Sequence, residues 1–232
     1  EIEAFLADQS SDKRAKKIDE LLERPAYAAW MTTLFCDQTG NNARLLNGFM
    51  QGNNFNRQIS SQWYDWIHRR VKDNVPYDKM VEGMVVATSR LPGQSYEDYV
   101  KDMRSYLSKA DGVERKDPVE RDTMPYFWAK QNVRNADDAA LAFSHTFLGV
   151  RLQCAQCHKH PFDQWTQQDF KQFAAFFGRM QLGTGPGGQQ LDRELQEKLG
   201  LNDRTKNNQD RQRIYNEALA KGELIPWREV FI

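Results

Sequence analysis

Two of the chain's three cysteines and two of its four histidines fall between Cys154 and His160, within the stretch LQCAQCHKHPFDQW at residues 152–165. Thiolates and neutral imidazoles are the chain's best ligands for borderline and soft metals. The spacing Cys-x-x-Cys-His has a narrower use, the attachment of c-type haem. Two thiols three residues apart can add to the two vinyl groups of the ring, while the next residue offers its imidazole to the iron. One short segment then fixes both the macrocycle and an axial ligand. On this reading Cys154 and Cys157 carry one covalent haem c and His158 is the proximal ligand. His160 is too near in sequence to reach the opposite face of the ring. It belongs with Asp163 and Trp165 to the surround, holding a propionate or orienting His158. For the sixth position the candidates are Met180, whose thioether would raise the potential, His145 on the preceding segment, and His68.

Other chemistry competes for the same residues. A zinc ion could take Cys154, Cys157, His158 and His160, although tetrahedral sites usually draw their ligand pairs from separated segments. The pair could also be a redox dithiol, a chemistry that normally sits at the start of a helix after a strand, whereas the preceding segment here is helical in pattern. Cys36, in TTLFCDQTG, stands beside Leu34 and Phe35 and reads as a small core hydrophobe. Three cysteines in 232 residues do not make a disulfide scaffold.

The elements that must position the motif are helical. NADDAALAFSHTFLGV places Ala140, Phe143 and Phe147 on one face, with Asn135 or Asp137 as cap and Gly149 as stop. After the motif, Thr166 caps QQDFKQFAAFFGRM, whose Phe170, Phe173, Ala174 and Phe177 recur at helical spacing. The motif is therefore bracketed by two amphipathic helices, and Phe162, Trp165, Phe170, Phe173 and Phe177 are the residues expected to wall a haem. Upstream, SDKRAKKIDELLERP predicts a helix with Ser11 as cap and Ile18, Leu21 and Leu22 on one face. SSQWYDWIHRRVKDN predicts another, with a stripe of Trp63, Trp66, Ile67 and Val71, and Pro76 restarts the chain into YDKMVEGMVVATS. Residues 40–58, rich in Asn and Gly, read as a long ordered loop or a short helix between turns. The polar middle around residues 106–133 reads as an excursion over the surface. QLGTGPGGQQ lacks the strand, helix and lysine context of a phosphate cradle and reads as a flexible loop. The charged stretch after it predicts one or two solvated helices, and IPWREVFI is apolar enough to be packing against something.

Lys+Arg and Asp+Glu both number 32, so no net field gathers nucleic acid or anionic lipid. No apolar run approaches the roughly 20 residues that span a bilayer. With 40% hydrophobic and 28% charged residues, the chain can bury a core as an ordinary globular protein.

FLGVRLQCAQCHKHPFDQWTQQDFKQFAAFF resembles the signature of a planctomycete cytochrome-like family, a domain of unknown function in large exported proteins. IDELLERPAYAAWMTTLFCDQTG is similar to that family's opening helices, and WYDWIHRRVKDNVPYDKMVEGMV to its second block, so the likeness runs from Ile18 to Met180. The resemblance implies that Cys154, Cys157, His158, His160, Pro161, Phe162, Asp163 and Trp165 are motif positions. It also implies an exported or periplasmic protein, often with a cytochrome c domain ahead of this one. His145 is not a position associated with the family. The expectation is a mainly α, irregular helical domain over residues 1–232 with long loops around a CxxCH haem-attachment segment. Residues 181–232 form its charged helical tail, leading to a following domain. Its function would be electron transfer with a redox partner protein or a neighbouring cytochrome domain. The alternatives are a structural or interaction module with a zinc or disulfide site, and a haem enzyme with an open axial position.

Overall fold

The computed structural model describes residues 1–44, 46, 54–131 and 135–232; the loop expected across residues 40–58 falls largely outside that range. The chain is mainly helical. Helices α1 (Ile2–Ala7), α2 (Lys13–Leu22), α3 (Pro25–Thr39), α4 (Asn54–Lys72), α5 (Tyr77–Val85), α6 (Tyr96–Leu107) and α7 (Tyr126–Gln131) precede the motif. Helix α8 (Ala136–Phe143) leads into it, and α9 (Gln167–Ala175), α10 (Gln189–Lys198) and α11 (Asn208–Ala220) follow. The strands β1 (Gln181–Gly183) and β2 (Glu229–Phe231) pair antiparallel, with Leu182 opposite Val230.

Helix α4 forms the centre. It starts six residues before Ser60, and its stripe is buried as the periodicity predicts, with Trp63, Trp66 and Ile67 all essentially without solvent contact. Arg70, one turn on from Trp66, lies with its guanidinium 3.6 Å from the Trp66 ring. It donates to the carbonyls of Val119 and Arg121, while the Trp66 indole N–H donates to the same Arg121 carbonyl. The polar middle is thus strapped onto α4 by a residue that is both stacked and hydrogen-bonded. From this strap the chain dips into the core at Met124, Tyr126, Phe127 and Trp128.

The first helices differ from their pattern. The position before α2 is Asp12 rather than Ser11, and it makes no side-chain cap. Ile18, Leu21 and Leu22 do share a face, but each remains more than two-fifths exposed. Pro25 opens α3 at its first turn, where its missing N–H costs nothing.

The C-terminal region is part of the core. Leu195, Leu201, Tyr215, Leu219, Ile225, Trp227 and Val230 pack in the same hydrophobic cluster as Trp63 and Trp66. IPWREVFI therefore finds its packing partner within this chain, and the two charged helices α10 and α11 are solvated on one side only. The glycine-rich loop is also more constrained than its composition suggests. Glu229, fully buried, receives Nε of Arg90 at 2.5 Å and Nη2 at 3.0 Å, and the backbone N–H of Gly185 at 2.7 Å. Arg90 reaches on to the Pro186 carbonyl at 2.8 Å. A side chain at 185 would set its Cβ 2.6 Å from the Glu229 carboxylate, and one at 188 would meet the Tyr96 ring at 2.8 Å. These glycines serve close approach, and the loop is tied down rather than flexible.

Truncating one member of a buried ion pair strands the other. Arg90→Met is expected to lower the unfolding free energy by about 3–5 kcal/mol, read from chemical denaturation. Arg69→Met, which loses only an exposed 3.4 Å contact with Glu120, should change it by less than about 1 kcal/mol.

Candidate functional site

The motif lies between α8 and α9, and each flank is fixed by local chemistry. Asn135 caps α8 by accepting from the Asp138 N–H. Beyond Phe143 the helix widens into a π turn over Ser144–Leu148 and stops at Gly149, in the left-handed region with φ 66°. Such turns are uncommon and often mark working segments. Thr166 and Asp169 form a complete capping box for α9.

Between these flanks, Leu152 and Ala155 are buried against Ala140, Phe170 and Ala174 in a second, smaller hydrophobic cluster. They anchor a short 3-10 turn, Gln153–Gln156, while Cys154 and Cys157, on either side of Ala155, are exposed free thiols. The turn is closed by the N–H groups of Cys157 and His158, each 3.4 Å from the Cys154 carbonyl. Gln167 at the start of α9 holds it from outside, donating to the Gln156 carbonyl at 3.0 Å.

Residues 158–165 form a hook. The His160 N–H donates to the Trp165 carbonyl at 2.8 Å. Asp163 accepts from the Gln164 N–H at 2.7 Å and from the Trp165 indole at 3.1 Å. The two histidines are held in opposite ways. His158 Nδ1 lies 2.6 Å from the Lys159 carbonyl; a carbonyl only accepts, so Nδ1 carries the proton and Nε2 keeps its lone pair. His160 Nδ1 accepts from the Phe162 N–H at 3.2 Å, which leaves the neutral ring's proton on Nε2. The two neutral rings are thus opposite tautomers.

The remaining predicted site residues are dispersed. Phe162 is 94% exposed, its ring edge-on to His160 with centroids 6.5 Å apart on the open face of the hook. Phe170 is committed to the small cluster that seats the motif. Phe173 and Phe177 meet Phe143 with ring centroids 5.8 Å apart in each case, so they belong to the aromatic packing between α8 and α9. The helical spacing that suggested a wall is the spacing of a core face. Met180 lines an apolar cavity with Trp128, Phe143 and Phe177. His68 stacks on Tyr64 and borders a different cavity formed by Leu22–Ala28 and Val71–Asn74; neither lining includes a residue of the 152–165 segment. His145 is exposed in the π turn. That turn itself was not foreseen, because a π widening has no residue signature comparable to a proline or a cap. Among the described residues, no group of three or more His, Cys, Asp or Glu side chains is arranged to hold a metal.

Cys36 is buried, its thiol pushed up by desolvation and opposed by the Asn41 amide, as expected of a core residue. In protein whose cysteines are unmodified, a thiol reagent at neutral pH is expected to label Cys154 and Cys157 promptly. Cys36 should react only on unfolding, and mass mapping of the labelled peptides checks this.

Among the described residues no helix is long and apolar enough to cross a membrane. No curated protein matches the chain, nor does any solved structure. A family model does match, over residues 1–182, which include all of the flanks and the motif just described. The chain belongs to the family described as PSCyt2, protein of unknown function (DUF1549).

Proposed function

We propose that Cys154, Cys157 and His158 form the attachment site of one covalent haem c, and that the chain is an electron-transfer module of an exported protein. The observation that carries this reading is the pinning of His158. Its Nδ1 is held by the Lys159 carbonyl, so the neutral ring is the tautomer that leaves the Nε2 lone pair free, and its orientation is set before any ligand arrives, as an axial imidazole requires. Both thiols are exposed and free, and each can add across a vinyl C=C. The sulfur bonds one carbon and a proton goes to the other, so no oxidant is consumed. Once bound, a haem supplies reversible one-electron storage. The chain's own residues do the rest. The Leu152 and Ala155 anchors hold the two thiols on one outward turn. The hook engages His160 through Nδ1 and leaves its Nε2–H as a donor suited to a propionate or another acceptor, and Asp163 fixes Trp165 beside it.

A zinc site from the same four residues is less well supported. His160 would have to leave the Phe162 N–H to ligate through Nδ1, or shift its proton to ligate through Nε2. A haem asks this chain for two thiols and one imidazole only. Met180, His145 and His68 remain proposals for the sixth position, and a redox partner protein or a neighbouring cytochrome domain is the proposed electron partner. The periplasm or the exterior is the proposed compartment, because covalent attachment takes place on the outer side of the bacterial inner membrane.

The test is the visible spectrum of protein made in a host that attaches haem. Sharp bands on dithionite reduction that survive acid-acetone extraction are expected. Their absence together with stoichiometric zinc would overturn the assignment.

The variants are expected to be unequal. Cys154→Ala or Cys157→Ala should lower the haem yield, leaving a single thioether, while Cys36→Ala should not change it. His158→Ala should change the spin or ligation state or abolish stable holoprotein. His160→Ala should retain covalent haem with a shifted potential, and equal loss of metal from the two histidine variants would favour zinc.

A further inference from the structure

The far end of α9 carries a second feature, whose lining includes no residue of the thiol turn. A cavity of about 460 Å³ opens there, walled by Trp128, Phe143, Phe173, Phe177 and Met180. Its volume lies within the range of small-molecule pockets, and its lining is of the apolar, aromatic kind that such pockets use. The one hydrogen-bonding group on its aromatic wall is occupied, since the Trp128 indole donates to the Val85 carbonyl at 2.7 Å. At the mouth, Phe176 is 86% exposed, and Val86 and Ile232 are also largely in water. Arg179 is the single charged residue of the lining. It is exposed and has neither an ion pair nor a hydrogen bond among the described residues. The pocket is distinct from the thiol turn. That turn abuts the first residue of α9 through Gln167, six residues and about 9 Å of helix rise before Phe173, where the lining begins.

We infer that this cavity binds an amphipathic carboxylate: an apolar chain or aryl body against the Phe143–Phe173–Phe177 wall, with its anionic head on Arg179. Charge complementarity decides the class. An apolar bowl alone would take any hydrocarbon, whereas a free guanidinium at the rim selects a planar anion that can accept two N–H bonds. A cationic amphiphile would meet like charge, and a neutral alcohol would leave the guanidinium's preference unused.

The probe is an anilinonaphthalene sulfonate, an aromatic anion whose fluorescence rises in apolar surroundings, displaced in turn by decanoate, decanol and decyltrimethylammonium. Decanoate should displace it about fivefold better than decanol, the scale of a partly exposed ion pair, and decyltrimethylammonium should be the weakest. Arg179→Gln should remove the difference between decanoate and decanol. Phe176→Ser should weaken all three competitors. Both residues are exposed, and an unchanged thermal midpoint and circular dichroism spectrum would confirm that the variants fold. Equal displacement by decanoate and decanol, or insensitivity to both substitutions, would overturn the inference. So would sedimentation as a dimer that decanoate does not dissociate, which would make the bowl a self-association face. The assay reads neither haem nor thiols, so its failure leaves the roles proposed for Cys154, Cys157 and His158 standing; it bears only on Met180, which lines the cavity.

Discussion

The buried pairing of Arg90 with Glu229 constrains more of this structure than any other single interaction. A carboxylate with no solvent contact is expensive unless it is paired and hydrogen-bonded, and here two guanidinium donors and the Gly185 N–H supply three bonds, at least one to each oxygen. Satisfying that charge fixes the position of β2. Ser89 and Val230 then exchange bonds in both directions, at 2.8 and 2.9 Å, while the hydroxyls of Tyr96 and Tyr99 reach the carbonyls of Trp227 and Arg228. The last residues of the chain are thereby locked against α6, and Trp227 and Val230 complete the core around Trp63 and Trp66. Such a pair adds less to stability than its geometry suggests. Its effect is to exclude other registers, since a slip of one residue would bury Glu229 without a partner.

The thiol turn depends on that frame at one remove. Phe143 and Phe177 pack against the main cluster and also meet each other, so α8 and α9 are set by the core. The smaller cluster of Ala140, Leu152, Ala155, Phe170 and Ala174 then seats the motif between them. Ala155, between the two cysteines, is buried in that cluster, while Cys154 and Cys157 themselves face water. The hook of residues 158–165 is held almost entirely by bonds within itself, so its shape belongs to the sequence HKHPFDQW more than to the surrounding fold.

This division explains what could be read from the residues. The Trp63–Trp66–Ile67 stripe, the Asn135 and Thr166 caps, the Gly149 stop and the helices of the charged tail are local signals and are seen as expected. So is the mainly helical class. Unequal roles for His158 and His160 were expected under the haem reading; the hydrogen bonds show unlike settings for the two rings, and their roles rest with the proposal. Phe170, Phe173 and Phe177 were misassigned because a helix face that packs against its neighbour and one that would wall a ring share the same spacing. The loop at Gly185 and Gly188 was read as flexible because glycine signals either freedom or close approach, and only the position of Glu229, 44 residues away, distinguishes them. The tail's role as core was hidden for the same reason.

That placement of the tail bears on how the protein can be made. The family match ends at residue 182, yet the hydrophobic cluster is not closed without residues as late as Val230. A chain emerging from its amino end must therefore keep Trp63, Trp66 and their neighbours without full cover until residues as late as Val230 have been synthesised. Contacts spanning 139 residues, as between Arg90 and Glu229, form late because closing so long a loop is entropically costly. During synthesis, and during any passage across a membrane, the chain presents an unfinished aromatic face, and such surfaces attract chaperones and other copies of themselves. Closure of this hydrophobic core waits on strand β2.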